Sequence, residues 1–290
     1  MERHELLIAL AERADRICAQ GWYARDDTTR VDLGTLLNVS LRDTLLMDPT
    51  MWTLIEHVAH ERCLSRDGEL GTVHVTGEST LAALQRLRVD EGRSNVAALN
   101  FASARNPGGG YRNGATAQEE SLARASGLVR TLKHCWTYYE QNRREESLLY
   151  TDHAIWSPAV PFFATDDGTL LPQPYTAGVI TMPAPNTGAM RSEADLLRVI
   201  PTFCRRIQAV LALAVVQRVD HLILGAWGCG AFGNQPDLVA KLFRDALAED
   251  QPWRRALSSV TFAIIDTSKR RASFAAFQTA LILLTVPDHA

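Results

Sequence analysis

Residues 95–110 read NVAALNFASARNPGGG, an apolar run followed by a polar loop that ends in three consecutive glycines. A continuous apolar run of this kind is typical of a strand covered by helices on both faces. Three glycines cost conformational entropy and give no packing in return, but they permit positive φ and bring backbone N–H groups close to a ligand. We therefore predict a buried strand over 95–103 that leads into a ligand-binding loop.

Strand-like apolar runs alternate with helical patterns through the rest of the chain. This order predicts a three-layer α/β/α fold with a single central sheet. Loops at the carboxyl ends of strands are where ligands bind in such sheets. The predicted strands are 71–76, 95–103, 148–156, 178–185, 221–227 and 260–266, and the predicted helices are one capped by Ser79, 118–142, 192–218, 236–248 and 270–284.

The first 70 residues have apolar positions at helical spacing, for example Leu6, Leu7 and Leu10. We predict an N-terminal helical accessory region over 1–70 and a catalytic domain over 71–290. No internal repeat, low-complexity tract or Pro/Gly linker argues for a further module.

Charge, cysteine content and the length of apolar runs indicate which partners and which compartment to expect. The chain has 290 residues and a formal net charge of −3, which gives no overall basic surface for obligate nucleic-acid binding. Five scattered cysteines without a C-x-x-C pair are typical of a reduced, cytoplasmic setting. The apolar run 210–216 is too short to span a bilayer, so we expect no membrane partner.

A second glycine-rich loop, GCGAFGN at 228–234, follows the predicted strand 221–227. Its G-x-G-x-x-G spacing also occurs in Rossmann dinucleotide sites, which place an acid at the end of the next strand, about 20 residues on. Here that distance falls on Glu249 and Asp250, before the next strand, so an anion cradle is favoured over a Rossmann site.

Gln118, Glu119 and Glu120 begin the predicted helix 118–142. Thr116 stands three residues before Glu119, the spacing of a capping box, which leaves Glu120 without a capping role. Adjacent helical residues diverge by about 100°, so the two acids cannot flank one bond, and one of them would have to perform the proton transfers. A like-charged neighbour or apolar surroundings would raise its pKa for that task.

The glycine triplet, seven residues and then Gln-Glu-Glu resemble the signature of poly(ADP-ribose) glycohydrolases, specifically the compact bacterial-type branch built on a macrodomain. The segments ALNFASARNPGGG, YTDHAIWSPAVPFF and LGAWGCGAFGNQP resemble segments of that branch in the same order. The resemblance implies a macrodomain with a mixed central sheet. It also implies hydrolysis of ribose–ribose O-glycosidic bonds, from the chain end, without metal or cofactor.

The resemblance also implies a role for each site residue. Glu120 would protonate the glycosidic oxygen and then deprotonate water, Glu119 would hold ribose hydroxyls, and Gln118 would shape the loop. The expected partners are poly(ADP-ribose) or ADP-ribosylated macromolecules, with ADP-ribose as product. The expected diphosphate-binding residues are Gly108, Gly109, Gly110, Gly228, Cys229, Gly230, Ala231 and Phe232. Phe232 is also expected to contact the terminal ribose. Further polar contacts are expected from Asn100, Asn106 and Thr267.

Two other functions remain open at this point. The chain could remove single ADP-ribose groups from protein or nucleic acid, because loop similarity determines ADP-ribose recognition better than it determines the leaving group. It could also be a non-catalytic ADP-ribose-binding module, which would need no acid at Glu120.

Three further features have alternative interpretations. Arg112, where the family more often has an apolar residue, could reach a phosphate or be an exposed loop arginine. His57 and His60 share a helical face but have no patterned third ligand, so we predict no metal site. Phe274 and Phe277 could cover an adenine, although their helical spacing is more typical of core residues.

Overall fold

The centre of the protein is a mixed β-sheet, seen in a computed structural model that describes residues 3–65 and 69–284. Seven strands form this sheet, and two others pair near the N-terminus within the described residues. The strands are β1 (Trp22–Ala24), β2 (Arg30–Asp32), β3 (Leu45–Met47), β4 (Thr72–Thr76), β5 (Val96–Phe101), β6 (Ala154–Ala164), β7 (Leu170–Met182), β8 (His221–Leu224) and β9 (Ser259–Ala263).

The order of strands across the sheet is β3-β6-β7-β5-β8-β9-β4. The strands from β7 to β4 pair in parallel, whereas β3 and β6 pair antiparallel at one edge. The carboxyl ends of the parallel strands therefore lie on the same side of the sheet.

Side chains of β5 alternate between two hydrophobic cores. The helices that surround the sheet are α1 (Arg3–Gln20), α2 (Gly34–Arg42), α3 (Trp52–Leu64), α4 (Thr80–Gln85), α5 (Gln118–Ala125), α6 (Leu128–His134), α7 (Trp136–Arg144), α8 (Glu193–Val216), α9 (Pro236–Ala246), α10 (Trp253–Ala256) and α11 (Ala272–Leu281). Ala97 and Leu99 pack with α3, α8, α9 and α11, whereas Val96 and Ala98 pack with α1, α2 and α4 to α7. Helices thus cover both faces, which confirms the predicted three-layer arrangement.

The N-terminal region contains strands as well as the predicted helices. Strand β3 joins the central sheet beside β6, and α3 packs in the same core as α8. The division at residue 70 stays a prediction. Residues 1–2, 66–68 and 285–290, which the two predicted regions include, lie outside the described residues.

The predicted strand over 148–156 is largely wrong, because the observed strand β6 runs from Ala154 to Ala164. The register of its pairing with β7 shifts between Ser157 and Val160, a β-bulge in which Ala159 has φ 49°. Such a bulge accommodates Pro158 within the strand, although proline normally argues against one. Strand β7 likewise begins earlier than the predicted 178–185.

The single helix predicted over 118–142 is also wrong. Three helices replace it, because Ser126 is extended and bridges to Phe162 of β6, and the chain turns again at Cys135. A Cβ atom at Gly127 would lie 2.6 Å from the Leu37 side chain, so glycine is needed for this close approach. The helices predicted over 192–218, 236–248 and 270–284 are observed, and Ser79 caps α4 by accepting a hydrogen bond from the Ala82 N–H.

Helix α8 is long and apolar enough to cross a membrane by length and composition alone. In the protein, 67% of its most apolar window is buried, and its side chains form much of one core. Burial of this kind is typical of the core helix of a globular domain. The absence of a membrane partner stays a prediction.

Candidate active site

A cavity of about 1050 Å³ opens at the carboxyl ends of β5, β8 and β9. Its wall contains the start of α5 and the loops that follow β8 and β9. The sheet therefore brings together side chains and loops that are more than 100 residues apart in the sequence. The predicted site residues found in this wall are Gln118, Glu119, Glu120, Gly228, Cys229, Gly230, Ala231, Phe232 and Thr267.

Glu120 lies in the first turn of α5 and is only 8% exposed. Its Oε1 accepts a hydrogen bond of 2.9 Å from the N–H group of Gly110. Its Oε2 is buried and has no partner among the described residues. Buried polar atoms almost always have a partner, so an unpaired oxygen in a cavity wall indicates a functional group.

Glu119 is even more buried and is fixed by hydrogen bonds at both oxygens. Oε1 accepts from Nδ2 of Asn100 at 3.2 Å, and Oε2 accepts from the Ser103 N–H at 2.6 Å. Burial raises the pKa of Glu119 to about 8, and the charge of Glu120 acts in the same direction. The hydrogen bonds oppose this shift but do not cancel it. Glu119 therefore exists mainly in its neutral form near pH 7.

The predicted capping box is wrong. The N-cap of α5 is Ala117, and no side chain caps the helix. Glu119 is the second helical residue, and its carboxyl group turns towards the loop after β5, where the Ser103 N–H is available. Structural capping thus explains neither acid.

The glycine triplet encloses Glu120. Gly109 has φ 58°, and a Cβ atom there would lie 2.3 Å from Oε1 of Glu120. The Gly109 N–H donates to the carbonyl of Asn106, and the Gly110 N–H donates to Glu120. The Gly108 N–H is directed to Glu119. These amides therefore interact within the protein, those of Gly108 and Gly110 with the two acids and that of Gly109 with a backbone carbonyl. The structure does not place them in the cavity wall as the diphosphate role expects.

Gln118 and Asn100 connect the acids to the sheet. Gln118 Oε1 accepts from the Phe101 N–H at 2.9 Å, and its Nε2 donates to the Leu99 carbonyl at 2.8 Å. Asn100 is fully buried, outside the cavity wall, and also donates to Oγ1 of Thr181. Both side chains therefore fix α5 to the end of β5.

The loop after β8 has the free amides that the first loop lacks. Within the described part of the chain, the N–H groups of Gly228, Gly230, Ala231 and Phe232 have no acceptor. All four residues line the cavity. Successive N–H groups without acceptors can form an anion-binding concavity. This loop is the candidate site for a phosphate group.

Asn234 holds this loop in place and is itself only 4% exposed. Its Nδ2 donates to the carbonyls of Pro185 at 2.7 Å and Gly228 at 2.9 Å, and its Oδ1 accepts from Oγ1 of Thr187. The four free amides therefore have a rigid support.

Several residues singled out in the sequence lie elsewhere. Arg112 pairs with Asp15 of α1 at 2.7 Å, and the Asn106 side chain accepts from Arg143 at 3.4 Å. Phe277 is buried in the core. Neither Arg112 nor Asn106 lies in the wall of the cavity.

The two histidines of α3 find no metal-binding partners. His60 packs its ring 5.0 Å from that of Trp253. No cluster of three or more possible metal ligands occurs in residues 3–65 and 69–284.

The wall also contains charged residues that were not predicted, among them Arg124 and Asp166. Arg124 follows Glu120 by four residues, a spacing that places both on one helical face and could have indicated it. Asp166 lies between β6 and β7, and no pattern in the sequence connects it with the acids.

Comparison with known proteins decides the family. The family model described as "Microbial-type PARG, catalytic domain" matches residues 11–165. The chain belongs to this family. Among curated proteins, the comparison found no match.

Solved structures of poly(ADP-ribose) glycohydrolase (PARG) resemble this family member closely. The protein from Thermomonospora curvata, bound to the inhibitor ADP-HPD, is 36% identical, with a TM-score of 0.86 over 94% of this chain and 98% of that chain. The protein from Deinococcus radiodurans in complex with ADP-ribose is 43% identical, with a TM-score of 0.80 over 86% and 98% of the two chains. An E115A mutant of the Thermomonospora protein gives a TM-score of 0.87 at 35% identity over 94% of this chain and 98% of that chain.

Proposed function

We propose that this chain is a poly(ADP-ribose) glycohydrolase that cleaves ribose–ribose O-glycosidic bonds and releases ADP-ribose. Membership of the microbial-type PARG family supports this activity, and relatives have been solved with ADP-ribose or ADP-HPD bound. The single observation that carries the proposal is the buried, unpaired Oε2 of Glu120 in the wall of a cavity that also contains four free amides.

In the proposed reaction, Glu120 first acts as general acid. It gives its proton to the glycosidic oxygen as the C1–O bond breaks, so the leaving ribose departs as an alcohol and C1 becomes oxocarbenium-like. The Glu120 carboxylate then takes a proton from water, whose oxygen attacks C1. The Gly110 N–H, which donates to Oε1, stabilises the carboxylate form between these steps.

Glu119 would hold the hydroxyl groups of the ribose that bears C1. Its carboxyl group, mainly neutral near pH 7, can donate as well as accept a hydrogen bond, and it places less negative charge beside Glu120 than a carboxylate would. The loop from Gly228 to Phe232 would bind the diphosphate through its free N–H groups. Neither proton transfer requires a metal or a cofactor.

We also propose a cytoplasmic location and a macrodomain assignment for the fold. Five free cysteines, none paired with another, support a reducing compartment. The ligand site at the carboxyl ends of parallel strands in a mixed, helix-covered sheet supports the fold assignment.

The decisive experiment compares release of ADP-ribose from poly(ADP-ribose), from singly ADP-ribosylated protein and from singly ADP-ribosylated nucleic acid. We expect release from the polymer, with free ADP-ribose rather than oligomers as the first product. Glu120→Gln should lower turnover by about 10²- to 10⁴-fold and change ADP-ribose affinity by only a few-fold. Glu140→Gln, at an exposed acid of α7, is the matched control.

Two results would contradict the proposal. Release from singly modified substrates alone would assign the chain to the mono-ADP-ribosyl hydrolases. Binding of ADP-ribose by the unmutated protein without cleavage of any substrate would make it a binding module.

A further inference from the structure

The cavity extends along α5 past the two acids. Its wall there consists of Arg3 and Leu7 from α1, Arg124 from α5, and Asp166 from the turn between β6 and β7. We call the part of the cavity lined by these four residues the lateral arm. The whole cavity, at about 1050 Å³, lies at the upper limit of the roughly 300–1,000 Å³ that a site for one drug-sized ligand occupies.

Arg124 is the unusual residue of the lateral arm. Its side chain is buried, with only 7% of the residue exposed, yet its guanidinium makes a single hydrogen bond, from Nη1 to the Ala115 carbonyl at 2.7 Å. Nε and Nη2 have no acceptor in the described part of the chain. Buried cations are normally paired, so this one has donors available to a ligand in the cavity.

Neighbouring acids do not use these donors. Burial lowers the pKa of Arg124 from its ordinary value, and the charges of Glu120 and Asp166 oppose that shift, but neither acid forms an ion pair with Arg124 among the described residues. Asp166 instead accepts a hydrogen bond from the Ser79 hydroxyl. Arg124 remains charged, because a guanidinium is not deprotonated in proteins, and the Ala115 carbonyl holds it in place.

A phosphate group matches this arrangement. The planar guanidinium presents parallel donors that fit phosphate oxygens, and burial strengthens the interaction. Poly(ADP-ribose) carries a diphosphate in every unit, and the free amides of the 228–232 loop would bind only one of them. A second unit therefore brings a second diphosphate that needs donors.

We propose that the lateral arm binds a second ADP-ribose unit of the same polymer, with Arg124 donating hydrogen bonds to one of its phosphate oxygens. This inference depends on the proposed function, since it assumes a polymeric substrate. Arg3 adds a second positive charge at the rim, and Leu7 adds an apolar contact. The chain would then recognise polymer in preference to its product.

The test measures binding by calorimetry in the Glu120→Gln background, with free ADP-ribose and with a purified ADP-ribose trimer as probes. We expect Arg124→Gln to weaken trimer binding by about tenfold, the loss of a charged hydrogen bond, and to weaken ADP-ribose binding at least fivefold less. Arg124→Lys, which retains the charge, should weaken trimer binding less than Arg124→Gln does. Arg112→Gln, at an arginine outside the cavity, is the matched control, and thermal unfolding of each variant verifies folding.

A second variant tests the arm without altering Arg124. Asp166 is exposed, so Asp166→Asn should fold normally. Removing its negative charge should strengthen trimer binding by about twofold at low salt, more than ADP-ribose binding.

Equal losses for both ligands in Arg124→Gln would overturn the inference, because Arg124 would then serve the first unit or only support Glu120. No loss for either ligand would overturn it as well. If the unmutated protein bound the trimer through Arg124 but did not hydrolyse polymer, that result would contradict the proposed function. It would still support the binding of a second unit in the lateral arm.

Discussion

The N–H group of Gly110 donates a hydrogen bond of 2.9 Å to Oε1 of Glu120, while Oε2 of the same carboxyl group is buried and has no partner in the part of the chain that the structure describes. One oxygen is thus fixed by the protein and the other is available to substrate. The glycine triplet makes this possible, because only glycine allows the loop to approach the carboxyl group so closely.

Gly109→Ala should therefore impair catalysis more than stability. The added Cβ would lie 2.3 Å from Oε1 of Glu120 and would displace the carboxyl group. We expect kcat on poly(ADP-ribose) to fall by about 10²-fold, since small misplacements of a catalytic group have effects of that size. Steady-state kinetics measures the change.

Gly92→Ala is the matched control for this variant. Gly92 also has a positive φ, 65°, but nothing lies within 4 Å of its Cβ position. Both alanines carry about 1 kcal/mol of backbone strain. An equal loss of activity in the two variants would refute the contact with Glu120.

Stability should depend on pH through Glu119. Its pKa is raised from 4.5 to about 8, so the folded protein retains a proton that the unfolded chain loses. Stability from this group is complete below about pH 4.5 and is lost as pH rises towards 8, by up to about 1.4 kcal/mol per pH unit. Glu119→Gln, which cannot ionise, should lose less stability over this window.

Chemical denaturation at pH 5, 6.5 and 8 measures this difference. The curves of stability against pH for Glu119→Gln and the unmutated protein should converge or cross as pH rises. Glu140→Gln, at an exposed position, should follow the unmutated protein. Parallel curves for Glu119→Gln would show that Glu119 is ionised throughout.

Asn234→Ala should weaken ligand binding rather than the chemical step. It removes the donor that holds the carbonyls of Pro185 and Gly228, so the 228–232 loop loses its support. We expect ADP-ribose affinity to fall by about 10-fold and KM to rise more than kcat falls. Asn38→Ala, at an exposed asparagine of α2, is the control, and a fall in kcat alone would contradict the assigned role.

The sequence pattern was sufficient to predict the strands that end at the site. It did not predict the direction in which the N–H groups of the first glycine-rich loop point. Apolar runs located β5, β8 and β9, because parallel strands covered on both faces carry continuous apolar residues. The triplet Gly108–Gly110 was expected to bind a ligand anion, whereas two of its amides turn inward to Glu119 and Glu120 and the third donates to a backbone carbonyl. A glycine run shows that the backbone must approach something, but it does not show which anion.

The remaining errors have similar causes. Strand β6 was misplaced because a bulge accommodates Pro158, and a bulge depends on the partner strand. Arg124 lies one helical turn from Glu120, so helical periodicity could have placed it near the site. Periodicity does not predict that Arg124 is buried. Asp166 enters the cavity wall only through the pairing of β6 and β7.

Arg205 and Arg206 both contact the carboxylate of Asp152, and their substitution should affect stability very differently. Arg206 is fully buried and donates to Asp152 at 2.7 Å, and also to the carbonyls of Pro183, Tyr150 and Thr151. The neighbouring Arg205 contacts the same carboxylate at 2.6 Å, but its side chain is 49% exposed. Arg206→Gln leaves several buried acceptors unpaired and should cost about 3–5 kcal/mol of unfolding free energy.

Arg205→Gln should cost less than about 1 kcal/mol, since an exposed ion pair is screened by solvent. Arg206 donates to the carbonyl of Pro183 just after β7, and Asn234 donates to the carbonyl of the nearby Pro185. Loss of Arg206 should therefore also weaken ADP-ribose binding, whereas loss of Arg205 should not. Urea unfolding and calorimetry on the two variants measure both effects. Similar costs for the two substitutions would mean that the buried hydrogen bonds of Arg206 contribute little to this fold.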